Sequence, residues 1–290
     1  MSQQPSLAVV GLGLIGGSLA RALRVAGAVS RIGGYDPDER QRRLAVDLGV
    51  VDLAAESVAE AVRDADVVVL AVPVLRTAEA MAAVRPALKP GAIVTDVGST
   101  KQSVLADVAA VCGELPPRFV AAHPIAGTEK SGVAASNPEL FRNKRLILTP
   151  HAQQDAEAFA TVRALWESVG ARVVEMDAAR HDAIFAATSH LPHVLAYAFV
   201  DMLSRLEGES EFFANAGGGF RDFTRIASSS PQMWHDIVRA NRESVSGLLE
   251  QQITELQELL ALMSGERWDE LKARFQRARD ARERHLPHIE

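Results

Sequence analysis

Residues 9–18 read VVGLGLIGGS, and the fold turns on this stretch. An apolar run over 7–10 leads into glycines at positions 11, 13 and 16, and a helical pattern follows over 18–26. The spacing is G-x-G-x-x-G in a strand–turn–helix setting, the context a dinucleotide-binding turn requires. Gly11 permits the tight turn, Gly13 lets backbone approach a pyrophosphate, and Gly16 lets helix and strand pack closely. The start of the helix, with Leu14 and Ile15 between the last two glycines, offers free N–H groups and a positive dipole end to phosphate.

Working outward, the next apolar run, 32–35, ends in GYDPD. Asp36 lies roughly 20 residues beyond the glycines, where a carboxylate can bond an adenosine ribose hydroxyl and would repel a 2′-phosphate. NAD is therefore the expected cofactor, with Arg40, Arg42 and Arg43 keeping NADP open. The competing reading makes Asp36 a cap for the next helix. A third run, 67–71, ends in AVPV, where Val72 and Pro73 would pass under the adenine or the nicotinamide-side ribose. Further runs at 92–96, 119–122, 146–149 and 173–176 alternate with helical segments, which predicts a parallel sheet covered on both faces. After Asp177 the strands stop, and 181–206, 231–263 and 267–284 read as helices. The expected organisation is an α/β Rossmann-like dinucleotide-binding domain over 1–177 and an all-α domain over 178–290. Leu248, Leu249, Ile253, Leu256, Leu260 and Met263 recur at helical spacing, as an internal core first and a subunit interface second.

Composition narrows the function. With 48% hydrophobic and 23% charged residues the chain can build an ordinary core. A net charge of -6 argues against a general nucleic-acid binder. Cys112 is the one cysteine, so no internal disulfide is expected, and neither a signal peptide nor a run of about 18 uninterrupted apolar residues is seen. A cytoplasmic protein without a membrane partner is the expectation.

Polar residues then gather where a bland fold would not need them. DVGSTK, 96–101, follows the fourth main strand, and Ser99 or Lys101 is placed to contact nicotinamide or substrate, unless Ser99 or Thr100 serves as a helix cap. HPIAGTEKSG, 123–132, follows the fifth, and His123 there suits a proton acceptor. The segment 181–198 contains Asp182, His190 and His193. Its H-x-x-H spacing is a weak metal signal, since Pro192 intervenes and no third ligand stands out. In GGGFRDFTRIASSSPQMW, 217–234, Arg221 and Arg225 are candidates to clamp a carboxylate, against an Arg–Asp ion pair with Asp222.

Taken in order over about residues 7–245, GLGLIGGS, DVGSTK, HPIAGTEKSG, SHLPH and GGGFRDFTRIA with PQMW resemble the prephenate dehydrogenase family. The resemblance implies a Rossmann-like domain followed by a helical dimerisation domain, and a cytoplasmic homodimer. The activity it implies is NAD-dependent oxidative decarboxylation of prephenate to 4-hydroxyphenylpyruvate in tyrosine biosynthesis. His123 resembles the family's catalytic base and Ser99 the serine bridging base and nicotinamide. Arg225 resembles the arginine that binds a prephenate carboxylate. Thr128 and Glu129 resemble pocket-lining residues. His193, Asp182, Gly218 and Arg221 fall near the pocket, Arg221 where some relatives carry lysine, and Trp234 forms an aromatic wall. No metal is implied.

Arogenate, or both substrates, is the nearest alternative, because only a keto or amino group on the side chain differs. A 3-hydroxyacid dehydrogenase has no place for HPIAGTEK or FRDFTRIA. A UDP-sugar dehydrogenase needs a catalytic cysteine, and Cys112 sits in a VCGEL helix end away from the expected crevice. A non-catalytic NAD-binding regulator would not need His123 together with Arg225.

Overall fold

The computed structural model describes residues 4–288. Its strands are β1 (Leu7–Val10), β2 (Ile32–Tyr35), β3 (Leu53–Ala54), β4 (Val67–Leu70), β5 (Ile93–Asp96), β6 (Phe119–Pro124), β7 (Arg145–Thr149) and β8 (Arg172–Glu175). They form one sheet in the order β3-β2-β1-β4-β5-β6-β7-β8. β1 to β6 run parallel, so their C-terminal ends share one edge. β7 is antiparallel to β6, and β8 runs with β7. The order reverses between β1 and β4, the crevice where open α/β sheets bind ligands.

Successive side chains point to opposite faces. Leu7 and Val9 enter one core, and Ala8 and Val10 the other. A sheet covered on both sides needs apolar residues at every strand position, which is why LAVV and VVVL are unbroken. α1 (Leu14–Val25) and α2 (Glu39–Asp47) supply Leu19, Leu23 and Ala45 to the first core. α3 (Val58–Val62), α4 (Thr77–Val84) and α5 (Gln102–Cys112) cover the second. α6 (Ala156–Ser168) returns to the first with Val162 and Trp166.

A continuous helical run comes next: α7 (Ala178–Phe185), a π turn (Ala186–His190) and α8 (Leu191–Ser204). The π turn stands just before Pro192, whose missing N–H and ring disturb the regular i→i+4 ladder. The 27 residues of this run reach a mean hydropathy of 1.4 over 18 positions, long and apolar enough by those measures to cross a membrane. The expectation that no such segment exists looked only for uninterrupted apolar residues. Here polar residues interrupt the run, and His181, Asp182 and His190 are buried in it. α9 (Glu209–Ala214), α10 (Gly218–Thr224), a 3-10 turn (Arg225–Ser228) and α11 (Pro231–Ala240) follow, with Trp234 and Ile237 in the second core. α12 (Arg242–Ser264), α13 (Trp268–His285) and a 3-10 turn (Leu286–His288) complete the described chain.

By its internal contacts the chain divides into two compact units, one up to Arg242 and one from Glu243 onward. Within the second, Arg274 bridges Glu255 and Glu258 and ties α13 to α12. The helical stripe of 248–263 differs from the core reading, because Ile253, Leu256, Leu260 and Met263 are exposed. The predicted helix 231–263 is broken at Asn241, whose backbone leaves the helical region and whose side chain is used elsewhere.

Two glycines of the opening motif meet hard limits. Gly11 has φ +102°, and an added Cβ would lie 2.3 Å from the carbonyl oxygen of Ala71. At Gly16 it would lie 2.1 Å from the carbonyl oxygen of Gly11. At Gly13 it would meet nothing within 4 Å. Gly11→Ala is therefore expected to lower unfolding free energy by about 2–4 kcal/mol. Gly13→Ala should stay within about 1 kcal/mol of the parent. Urea denaturation of the two variants checks this, and equal losses would contradict it.

Candidate active site

The C-terminal ends of β1, β4, β5 and β6 meet at one edge, and an ion pair fixes two of them. Asp96 ends β5 and is buried with Lys101, the two side chains forming a salt bridge. Asp96 Oδ1 accepts the N–H of Ala122 at 3.0 Å, and Lys101 Nζ donates to the carbonyl of Ala122 at 2.7 Å. Asp96 Oδ2 also accepts from Gly98 N at 2.7 Å. Main-chain pairing of β5 with β6 covers only Val94–Phe119 and Thr95–Val120, so these side chains extend it to the residue before His123. Burial pulls the Lys101 ammonium down, and Asp96 and Asp182 push back. The expectation that Lys101 contacts nicotinamide or substrate is corrected, because its side chain is wholly enclosed.

α5 begins without a side-chain cap of its own. Thr100 and Ser103 bond each other at 2.6 Å, and Ser99 is half-buried with no hydrogen bond among the described residues, so neither Ser99 nor Thr100 caps. The cap comes from α7. Asp182 Oδ1 accepts Lys101 N at 2.7 Å and Oδ2 accepts Gln102 N at 2.9 Å. A carboxylate at a helix N-terminus is favourable for both bonding and dipole. Asp182 also takes the ring N–H of His181, with Nδ1 2.8 Å from Oδ1. Burial works against its charge, but the bonds from His181, Lys101 and Gln102 hold the carboxyl below its ordinary range. With its oxygens filled and its side chain enclosed, Asp182 stands behind the pocket, which corrects its place among substrate-lining residues.

His123 emerges from β6 half-buried. Its Nδ1 lies 2.8 Å from Nε2 of His181, and Phe185 packs edge-on to it at 5.0 Å. Its Nε2 has no partner among the described residues. Burial first, then the neighbouring His181, Lys101 and His190, hold His123 well below the ordinary imidazole value. Burial lowers His181 too, against the pull of Asp182. His190 is brought down to about 4, again chiefly by burial. Asn241 Nδ2 donates to the carbonyl of Asp182 at 2.8 Å and lies 3.2 Å from His190 Nδ1.

His193 donates from Nδ1 to the carbonyl of Ser189 at 2.8 Å and stacks on Trp234, with centroids 3.4 Å apart. Both histidines of the H-x-x-H spacing are thus engaged within the fold. The indole N–H of Trp234 is buried without a partner. Arg225 is largely exposed, and among the described residues its one ionic neighbour is Glu129 at 3.8 Å. Thr128 accepts from Lys130 N at 3.2 Å within the same exposed loop. Arg221 lies 3.7 Å from Asp222 at the surface, and Gly218 opens α10 with free space around it.

On the glycine-loop side, α1 is entered from Gly13 with no side-chain cap. Asp36 Oδ2 accepts Leu12 N at 2.9 Å, which docks the carboxylate on that loop. The cap of α2 is Asp38, not Asp36. Arg42 lies over the Tyr35 ring, donates to the carbonyl of Asp36 and pairs with Glu56, while Arg43 pairs with Glu39. Ile15 is half-buried against the first core, Val72 packs on the second, and Pro73 leads into the turn before α4.

Sequence reasoning missed His181 altogether, and it placed Asp96 without a role. No local signal marked either, since Ser99 and Thr100 stood in the sequence as candidate caps for α5 and only the structure leaves that start uncapped.

Two tests follow from this network. Lys101→Met leaves a buried carboxylate unpaired and should cost about 3–5 kcal/mol in urea denaturation; a loss under about 1 kcal/mol would contradict the pairing. The second concerns pH. An unfolded His190 binds a proton below about 6.5, whereas the folded one resists until about 4. Stability should therefore fall as pH drops through that window, by up to about 1.4 kcal/mol per unit from His190. His123 and His181 act in the same direction. A denaturation midpoint flat between pH 7 and pH 5 would contradict it.

The chain matches two family models: "Prephenate dehydrogenase, nucleotide-binding domain" over residues 19–175 and "Prephenate dehydrogenase, dimerization domain" over 177–277. It is 38% identical to a cyclohexadienyl dehydrogenase of Zymomonas mobilis, covering 95% of this chain and 94% of that one. It is 37% identical to a prephenate dehydrogenase of Bacillus subtilis, covering 96% and 75%. Among solved structures, the prephenate dehydrogenase of A. aeolicus, in complex with hydroxyphenyl propionate and NAD+, superposes with a TM-score of 0.90. Its identity is 39%, over 98% of this chain and 99% of that one.

Proposed function

This chain belongs to the prephenate dehydrogenase family, and from that premise we propose that it converts prephenate to 4-hydroxyphenylpyruvate with NAD as oxidant. The observation that carries the reading is His123: a neutral imidazole at the ligand edge of the sheet, with Nδ1 bonded and Nε2 without a partner.

The glycine loop fits a dinucleotide. Gly13 has no contact within the protein that demands a glycine, so the open space beside it suits a ligand's phosphates. The N–H groups of Leu14, Ile15 and Gly16 at the uncapped start of α1 would bind them. Asp36 would hold the adenosine ribose, with Val72 and Pro73 beside the cofactor. The engagement of Arg42 and Arg43 with Glu56 and Glu39 supports NAD over NADP. When bound, the nicotinamide supplies the hydride acceptor.

His123 takes the ring hydroxyl's proton as the same carbon gives up hydride, and returns it to the phenolic oxygen after the ring carboxylate has left as CO2. No net proton is released, so a base that recovers neutrality suits the step. Ser99, with its unbonded hydroxyl, would orient that oxygen. Arg225 has no strong ionic partner and would bind a substrate carboxylate in paired bonds. Thr128, Glu129, Gly218, Arg221, His193 and Trp234 would line the remainder.

The domain boundary near 177, a homodimer through the helical part and a cytoplasmic location belong to the same proposal. The matched dimerization-domain model and the exposed Phe212, Phe213, Phe223, Leu256 and Leu260 support the dimer.

NADH absorbance with prephenate, then with arogenate, then with NADP+ in place of NAD+, tests the reading. Turnover with prephenate and NAD+ is expected, and turnover with arogenate alone would move the substrate while keeping the chemistry. His123→Asn should lose about 10²–10⁴ in kcat with NAD affinity kept. Unchanged turnover in that variant would remove His123 from the mechanism. Arg225→Ala should act chiefly on KM for prephenate.

A further inference from the structure

We propose that His181 is a positioning residue that selects the tautomer of His123, leaving Nε2 of His123 as the basic nitrogen; this rests on the reading of His123 as proton acceptor.

The direction of the chain is set from one end. Asp182 is an ionised carboxylate and can only accept. Its oxygens receive Lys101 N, Gln102 N and the ring nitrogen of His181. Nδ1 of His181 must therefore carry a hydrogen. His181 is kept neutral by burial, so its Nε2 is a bare acceptor. The 2.8 Å contact between that nitrogen and Nδ1 of His123 is a hydrogen bond only if His123 Nδ1 is the donor. Neutral His123 then has its lone pair on Nε2. The opposite arrangement needs a doubly protonated His181 or a protonated Asp182, and burial in the first case and three donated bonds in the second oppose these.

Among the described residues, the charges facing the two rings leave this order in place. Around the two rings stand Lys101 from α5, Asp96 from β5, Asp182 from α7 and His190 from the π turn. The Lys101 ammonium is matched by Asp96 and the carbonyl of Ala122. Phe185 contacts both imidazoles, with centroids 5.0 Å from His123 and 4.5 Å from His181, and closes an apolar side over them.

The relay also prepares the charged state. When the substrate's O–H bond breaks and a bond forms between its proton and Nε2, His123 becomes an imidazolium. Its Nδ1–H stays between the two rings and strengthens as a charge-assisted bond. The new positive charge then faces Asp182 through His181. No proton needs to reach Asp182, and the Nε2 proton goes back to the phenolic oxygen. A fixed tautomer matters because a base whose lone pair points into the protein cannot act on substrate.

The test is 15N spectroscopy of the full-length protein labelled at histidine, with the His123 signal assigned by its loss in His123→Asn. In the parent at neutral pH, His123 is expected to show a protonated Nδ1 and a bare Nε2. In His181→Phe the signal should shift toward a mixture of tautomers. In the same variant kcat should fall by about 10²-fold or more, with KM for prephenate and NAD affinity within about threefold. His181→Gln, whose amide oxygen can still accept from Nδ1, should restore the parent tautomer and recover at least about tenfold of that kcat. A parent His123 protonated at Nε2 overturns the proposal, whether or not the variants fold. So does a fall in kcat in His181→Phe with no change of tautomer. A parent with bare Nε2 but no turnover of prephenate or arogenate supports the tautomer assignment while removing the assigned reaction.

Discussion

Everything at the ligand edge depends on the buried pair of Asp96 and Lys101. A parallel strand that ends early leaves the N–H and carbonyl of its neighbour without partners, and a buried pair of that kind would be costly. Here the carboxylate takes the N–H of Ala122 and the ammonium takes its carbonyl. One ion pair thus carries the pairing on from Val120 to Ala122, and the next residue is His123. Neither charge could stand alone in that position, since an unpaired buried ion is strongly destabilising. Together they are satisfied by each other and by main chain.

From that anchor the polar groups form a connected series. Lys101 also opens α5, whose first N–H groups are received by Asp182; Asp182 holds His181, His181 holds His123, and Asn241 ties the Asp182 carbonyl toward His190. Burial keeps the imidazoles neutral, so the Asp182 carboxylate is the one charge of the network not matched by a buried opposite charge. A fully bonded network specifies one arrangement, whereas a partly bonded one would be worse than an apolar core. Among the described residues, Nε2 of His123, the Ser99 hydroxyl and the buried Trp234 indole N–H are left without partners beside this network.

Much of this was legible in the residues. The strands were, because a sheet covered on both faces demands unbroken apolar runs, and the turn at Gly11 was, because steric limits on backbone leave few residue choices. β3 was not, since two residues carry no period. The break at Asn241 was hidden because an asparagine inside a helical pattern is unremarkable until its side chain has a distant partner. His123, Ser99 and Arg225 could be singled out from their place after strands and turns. His181 could not: it joins His123 across 58 residues, and no local spacing records such a contact. Asp182 was noticed, yet its direction was not, because capping a helix 80 residues earlier is a property of the folded chain.

Those long separations bear on how the protein is made. Chains emerge from the ribosome N-terminus first, and domains tend to fold as they appear. All eight strands precede His181 and Asp182 in the chain, so the cap of α5 and the partner of His123 are the later-made half of each contact. The glycine turn and the partner of His123 are thus supplied by stretches of chain made at different times.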